Sequence, residues 1–240
     1  MQLVYSESEL MADHPDLAPH VILDQRVHGG IDPAGRYQPP RALVREPALD
    51  AWADALRSRG GHVFDAEASL LEGTRAVSVE QQRVLLRNGL GAWFWNQLTI
   101  TGKIEARGRL LADITFPDLA PVIVEDISEM AIGHLGGGLL VAHGLDEGGQ
   151  PDLGIGGHDL MWFLARDLAF GADAYPDAEP PENIGRPDAG TRYMPELPAE
   201  IEGLISLLAN LLIIEFRAEL GFAEAQQILR SPDVFFDKRA

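Results

Sequence analysis

The sequence predicts an all-α protein, a helical bundle with an irregular N-terminal arm and a long crossing loop. Apolar residues recur at helical spacing in several segments between residues 78 and 230. With 46% hydrophobic and 23% charged residues, a chain of 240 residues can bury a sizeable core. Residues 171–198 are rich in proline, glycine and acidic residues, which predicts a loop that crosses between two helices as a lid or an ordered strap.

The N-terminal region is punctuated by glycine and proline, which predicts an extended arm. Residues 21–23 favour a short strand, but no nearby segment is an obvious partner. Residues 47–58 predict a short amphipathic helix that ends before Gly60 and Gly61. We therefore expect residues 1–76 to form an arm with short helices packed on the body. Residues 77–240 would form the helical bundle, and the two parts would make one structural unit.

The first long helical pattern begins at Ser78, with Gln81 three residues later in the spacing of a capping box. The pattern continues to about residue 114, either as one helix or with a break near residues 99–102. On the helical wheel Glu105 shares an arc with Phe94. Glu105 is therefore a candidate inward-facing carboxylate.

His134 lies at the centre of the apolar face of a helix predicted over residues 122–143. A buried imidazole has to be hydrogen-bonded or bound to something, because an unpaired buried polar group costs about 1–3 kcal/mol. His134 is therefore either a core histidine satisfied by a neighbour or a ligand. Glu125 and Glu129 are one turn apart, which is typical of a solvated face, and Glu129 is also a candidate ligand. The glycines at 136–138 predict close backbone approach or a break just after His134.

His143 and His158 bracket a predicted glycine-rich loop. No convincing strand precedes this loop and it has no Gly-Lys-Ser or Gly-Lys-Thr, which argues against a nucleotide-binding loop. A helix over residues 158–170 follows, with His158 on its inward face.

The last long helix, residues 198–229, has Glu215 in the middle of its strongest apolar face. A carboxylate there should be paired, protonated or coordinated to a metal.

Composition and charge exclude several classes of function. The net charge of −18 and the absence of basic clusters argue against nucleic acid and anionic membrane surfaces as partners. The chain has no cysteine, which excludes disulfides, thiolate zinc sites, iron–sulfur clusters and cysteine nucleophiles. The N-terminus has no basic and apolar segments of a secretory signal, and no apolar run is long enough to span a bilayer. These features predict a cytoplasmic, acidic protein.

The pattern over residues 78–230 resembles the ferritin-like diiron-carboxylate bundles, although the chain has no Glu-x-x-His motif. In this resemblance Glu105 and Glu215 stand where single carboxylates bridge the metals, and His134 stands where a motif histidine lies. It implies iron or manganese held by carboxylates and imidazoles, and activation of dioxygen or peroxide for oxidation of an organic substrate. The expected metal ligands are His134, Glu215, Glu129, Glu105 and His158.

We expect a metal-binding oxidoreductase that acts on a small-molecule substrate and assembles as a homodimer. Two other functions fit the same residues. A non-catalytic helical protein would use a buried His134–Glu215 pair for structure and its acidic surface for a protein partner. A helical pocket closed by residues 171–198 would bind a small molecule against Trp162 and Phe163.

Overall fold

The computed structural model describes residues 4–64, 77–175 and 190–235. The described residues are mostly helical, with 59% helix and 8% strand, which confirms the helical class predicted from the apolar periodicity. The middle of the predicted crossing loop, residues 176–189, lies outside the described residues. In the parts of the chain that are described, no helix combines the length and the apolar character needed to cross a membrane.

The N-terminal arm contains a three-stranded antiparallel sheet that the sequence analysis missed. Its strands are β1 (Ala18–Ile22), β2 (Gln25–Ile31) and β3 (Tyr37–Gln38), hydrogen-bonded in that order. Leu23 and Asp24 form the two-residue turn between β1 and β2, with φ of 47° and 61°. Two consecutive positive φ angles give the backbone twist that a tight hairpin requires. The strand predicted near residue 21 therefore does have a partner, β2. The sequence of β2 was interpreted as a loop because it contains Gly29 and Gly30.

Most of the described helices lie where the sequence predicts a helix. The helices predicted over 47–58, 158–170 and 198–229 are observed with bounds close to these. In chain order the helices are α1 (Glu7–Leu10), α2 (Arg45–Ser58), α3 (Val79–Arg87), α4 (Ala92–Gly108), α5 (Ala131–His134), α6 (Leu140–Gly148), α7 (His158–Phe170), α8 (Ala199–Leu229) and α9 (Pro232–Phe235). Short 3₁₀ turns lie at Pro40–Ala42, Arg109–Asp113 and Pro151–Leu153.

Two predicted long helices are interrupted. The pattern that begins at Ser78 forms two helices, α3 and α4, and the break lies at residues 88–91, where Gly89 has a φ of 75°, and not at residues 99–102. The helix predicted over residues 122–143 begins only at Ala131. Before it, the Asp126 side chain accepts a hydrogen bond from the Ser128 amide at 2.9 Å. Such a local bond offers the backbone an alternative to the helix.

The glycines after His134 produce the predicted break. Helix α5 ends at His134, and Gly138 adopts a φ of 114° before α6 begins. Gly138 also packs closely, because a Cβ atom added there would lie 2.7 Å from Cγ of Glu7. Both the break and the close approach follow from the absence of a side chain.

The chain divides into two compact units, and the boundary at residue 76 stays a prediction. The first unit comprises Met1–Phe64, Leu98–Phe116 and Ile123–Ala165, and the second comprises Asp65–Gln97, Pro117–Val122 and Arg166–Ala240. A core of Leu10, Ala48 and Trp52 lies in the first unit. In the second unit α3 packs on α8 and α9, and Asp233 forms ion pairs with Arg83 and Arg87.

Candidate metal centre

Three potential metal ligands from three helices meet in the first unit. Glu105 of α4, Glu147 of α6 and His158 of α7 each offer one ligand atom, and these atoms all lie within 4.8 Å of one another. Nδ1 of His158 is 3.3 Å from Oε1 of Glu147 and 3.8 Å from Oε2 of Glu105. Glu105 is buried, and the other two are half-buried.

Glycines allow the helices that carry these ligands to approach closely. A Cβ atom added to Gly108, at the end of α4, would lie 2.5 Å from Cβ of Glu147. On α6, an added Cβ on Gly144 would lie 2.6 Å from the Ala112 amide nitrogen, and one on Gly148 would lie 2.4 Å from Cβ of Arg109. Distances this short are not tolerated between real atoms in a packed interior. The glycines therefore set the spacing between the two carboxylates.

The glycine-rich segment between α6 and α7 holds His158 beside the end of α6. Its backbone closes on itself through the Gln150 amide, which donates to the Ile155 carbonyl at 2.7 Å. Gly156 is tied to β2, because the His28 amide donates to its carbonyl at 2.8 Å. Gly157 touches α6 so closely that an added Cβ would lie 2.5 Å from the Glu147 carbonyl oxygen. The segment thus joins three elements at the cluster.

The negative charge of the two neighbouring carboxyl groups has to be reduced by a proton or balanced by a cation. The side chains of Glu105 and Glu147 are hydrogen-bonded to each other, so one of the two must carry a proton in the absence of a cation. Burial opposes ionisation of Glu147, but hydrogen bonds to His158 and Glu105 and the charges of His158 and His143 outweigh it and lower the pKa of Glu147 to about 2. Glu147 also lies in the last turn of α6, where the helix dipole favours a cation.

His143 extends the cluster along α6. It lies one helical turn before Glu147, and its Nε2 is 3.7 Å from Oε1 of Glu147. At this spacing two helical side chains share a face and can reach a common ligand. His143 therefore lies within reach of an ion held by Glu147, although its ligand atoms are not among the three of Glu105, Glu147 and His158 that all lie within 4.8 Å of one another.

A buried polar layer from the N-terminal region lies beside the cluster. The ring centroid of His28, on β2, is 4.9 Å from that of His158, and its Nδ1 is 3.0 Å from Oη of Tyr37. Arg45, at the start of α2, forms a buried ion pair of 2.7 Å with Asp146, the residue before Glu147. Burial, with the charge of His158, lowers the pKa of His28 to about 3. Burial raises the pKa of Tyr37, and both side chains stay neutral at pH 7.

The buried His28 predicts a measurable pH dependence of stability. Its folded-state pKa is about 3, because burial and His158, Arg41 and Arg45 outweigh the attraction of Glu147. An unfolded histidine titrates near 6.5, so the unfolded state takes up the proton first as the pH falls. The metal-free protein should lose about 2 kcal/mol of unfolding free energy from this group between pH 7 and pH 5. Urea unfolding at both pH values should show that His28→Gln lacks this loss. Parallel pH profiles for the two proteins would contradict the prediction.

The structure brings together two of the predicted ligands, Glu105 and His158. His134 is buried as predicted, but its contacts are those of a core histidine. Its Nε2 donates to the Ser128 carbonyl at 2.7 Å, and its ring stacks on Trp52 with centroids 4.3 Å apart. Glu129 forms an ion pair with Arg59. Among the described residues, neither His134 nor Glu129 belongs to a group of three potential ligands.

The predicted burial of Glu215 is wrong. This residue lies on α8, in the second unit, and its side chain is exposed. The neighbouring Leu212, Ile213 and Ile214 are exposed too, at 48%, 42% and 42%. A helical wheel identifies the most apolar face, but it does not show which part of a 31-residue helix is covered by other elements. Ligation of a metal by Glu215 stays a prediction.

Sequence reasoning missed Glu147 as a candidate ligand because it placed residues 143–158 in a loop. Residues 140–148 are in fact helical, so His143 and Glu147 lie on one face at a spacing of four. That spacing was the available signal, since two metal-capable residues four apart on a helix can share an ion.

Comparison with protein families, with curated proteins and with solved structures found no match for this chain.

Proposed function

We propose that the protein binds a divalent transition metal, iron or manganese, at Glu105, Glu147 and His158, with His143 as a further ligand. The observation that carries the proposal is the hydrogen-bonded pair of largely buried carboxyl groups facing one imidazole, with all three ligand atoms within 4.8 Å of one another. A cation at the centre would replace the proton that the two carboxyl groups have to share.

The distances within the cluster support this proposal. Donor atoms bound to one first-row metal at about 2.1 Å lie about 3.0–3.4 Å apart. The separations from His158 to the two carboxylates, 3.3 Å and 3.8 Å, need only small side-chain adjustments to reach that range. Oxygen and nitrogen ligands without thiolate suit iron, manganese or zinc.

The proposed activity is oxidation of a small organic substrate, for which a bound iron or manganese would supply the activation of dioxygen or peroxide. Within this proposal Glu105 and Glu147 neutralise the charge of the ion, and His158 supplies a nitrogen donor. The resemblance to a ferritin-like four-helix core belongs to the same proposal. It is supported by carboxylate and imidazole ligands that come from separate helices.

The test is the metal content and metal response of protein expressed in metal-replete medium and purified without a polyhistidine tag or chelator. We expect about one equivalent of iron or manganese in the wild type. Added metal at 100 times the Kd should stabilise it by about 2.7 kcal/mol, a rise in Tm of about 5–10 °C. Glu147→Gln should lose both the metal and this response, because an amide is a much weaker ligand for these ions.

The matched control is Glu200→Gln, an exposed glutamate in the first turn of α8, which should retain the metal and the rise in Tm. A folded wild type that contains no metal and does not respond to added metal would overturn the proposal. The cluster would then be a structural hydrogen-bonded group of a non-catalytic protein, made of residues other than the His134–Glu215 pair expected from the sequence. That alternative is favoured by the hydrogen bonds that Glu147 makes to His158 and to Glu105 without an ion.

A further inference from the structure

We propose that His28 of β2 is an additional ligand of the metal bound at the Glu105, Glu147 and His158 cluster, through its Nε2 atom. The inference rests on the proposed function and adds a ligand from the N-terminal sheet, outside the helices. It predicts a site with at least two imidazoles and two carboxylates.

The first observation is an unsatisfied buried nitrogen. His28 is only 4% exposed, and among the described residues its Nε2 has no hydrogen-bond partner. Its other ring nitrogen, Nδ1, is engaged by Oη of Tyr37 at 3.0 Å. A neutral imidazole carries one proton, so whichever nitrogen holds it, Nε2 presents either a bare lone pair or an orphaned N–H to the interior. Leaving a buried polar atom unpaired costs about 1–3 kcal/mol.

A metal at Nε2 resolves this problem in the way that metal-binding histidines usually do. With the proton on Nδ1, His28 donates to the oxygen of Tyr37, and the Nε2 lone pair is free to bind the ion. Histidine ligands almost always donate their second ring N–H to an oxygen atom, which fixes the tautomer and the orientation of the ring. Tyr37 occupies the place of that orienting group.

The second observation is the separation of the two imidazoles. A metal–nitrogen bond of about 2.1 Å puts each ring centre about 3.2 Å from the ion, so two histidines on one metal have ring centres about 4.5–5.3 Å apart. The centroids of His28 and His158 are 4.9 Å apart, with an angle of 67° between the ring planes. The ring centres therefore have a separation that a shared ion allows, and binding would draw Nε2 of His28 toward the ligand atoms of Glu105, Glu147 and His158, which all lie within 4.8 Å of one another.

The backbone of β2 fixes His28 in this position. In the pairing of β1 with β2, Pro19 is opposite Gly30 and His20 is opposite Val27, so that His28 and Gly29 bulge out of the ladder. The His28 amide donates instead to Gly156, two residues before His158. Bulges of this kind redirect side chains next to functional sites. The same hydrogen bond couples the position of His28 to that of His158.

The experiment is a titration of metal-free protein with Co²⁺, followed by the visible absorption bands that report coordination. We expect the wild type to develop these bands, and His28→Ala to bind Co²⁺ at least 100-fold more weakly with an altered spectrum. Tyr37→Phe should weaken binding about 10-fold to 100-fold, as loss of an orienting group does. The control His20→Ala removes a β1 histidine whose ring is 5.0 Å from that of Tyr37, and it should behave as the wild type.

A second measurement needs no variant. In wild-type protein labelled with ¹⁵N-histidine, addition of Zn²⁺ should shift the Nε2 resonance of His28. A wild type that binds Co²⁺ through Glu147, with His28→Ala unchanged in affinity and spectrum and no shift at His28, would overturn this inference and leave the proposed function intact. A wild type that binds no Co²⁺ would overturn both.

Discussion

Replacing Arg45 by methionine is expected to lower the free energy of unfolding by about 3–5 kcal/mol. Arg45 and Asp146 form an ion pair of 2.7 Å in which each side chain is only 8% exposed. Burial already raises the pKa of Asp146, and Arg45 opposes that effect. Without the guanidinium, the carboxylate stays desolvated and has no compensating charge. Denaturant unfolding in the presence of a chelator measures the effect on the fold alone.

Removal of both partners should be far less harmful than removal of one. The double variant Arg45→Met with Asp146→Leu is expected to recover most of the lost stability, because apolar residues of similar volume replace a buried ion pair at little or no cost. As a control, Arg57→Met breaks the exposed pair with Asp54, whose side chains are 51% and 70% exposed, and should change stability by less than about 1 kcal/mol. A double variant as unstable as Arg45→Met would mean that Arg45 acts through its packing, not its charge.

The helices that the sequence predicts well are those with strong local signals. Helix α7 is observed with the predicted bounds, and α8 differs by one residue, because apolar residues recur at helical spacing throughout both segments. The helix predicted over the segment before α5 is not observed, because the Asp126 side chain caps a turn within that segment. The sheet was not predicted, because β2 contains two adjacent glycines and such a pair is also typical of a loop.

The candidate site was predicted only in part, since its geometry depends on contacts between distant segments. Glu105 and His158 could be found as polar residues on apolar helical faces. Glu147 was missed because its helix was interpreted as a loop, although its spacing of four residues from His143 was a signal. His28 carries no periodic signal at all, and its proximity to His158 depends on hydrogen bonds between β2 and Gly156. His134 shows the limit of the same reasoning, because a buried histidine can be satisfied by one carbonyl.

Replacing Gly149 by alanine is the second change expected to have a large effect, about 2–6 kcal/mol of unfolding free energy. Gly149 has a φ of 68° and a ψ of −163°, a conformation that is essentially restricted to glycine. Its position is also crowded, because an added Cβ would lie 2.5 Å from both the Gly157 amide nitrogen and the Ile155 carbonyl oxygen. The backbone conformation and the contacts therefore both oppose a side chain.

The matched control is Gly154→Ala in the same segment. Gly154 also has a positive φ, 67°, but it is in the left-handed helical region and an added Cβ would meet nothing within 4 Å. Only the backbone cost of about 1–2 kcal/mol should remain. Because Gly149 follows Glu147 by two residues and contacts the backbone that carries His158, Gly149→Ala should also weaken Co²⁺ binding at least 10-fold in protein that is still folded, whereas Gly154→Ala should not. Equal effects of the two substitutions on stability and on Co²⁺ affinity would show that the segment does not position the ligands.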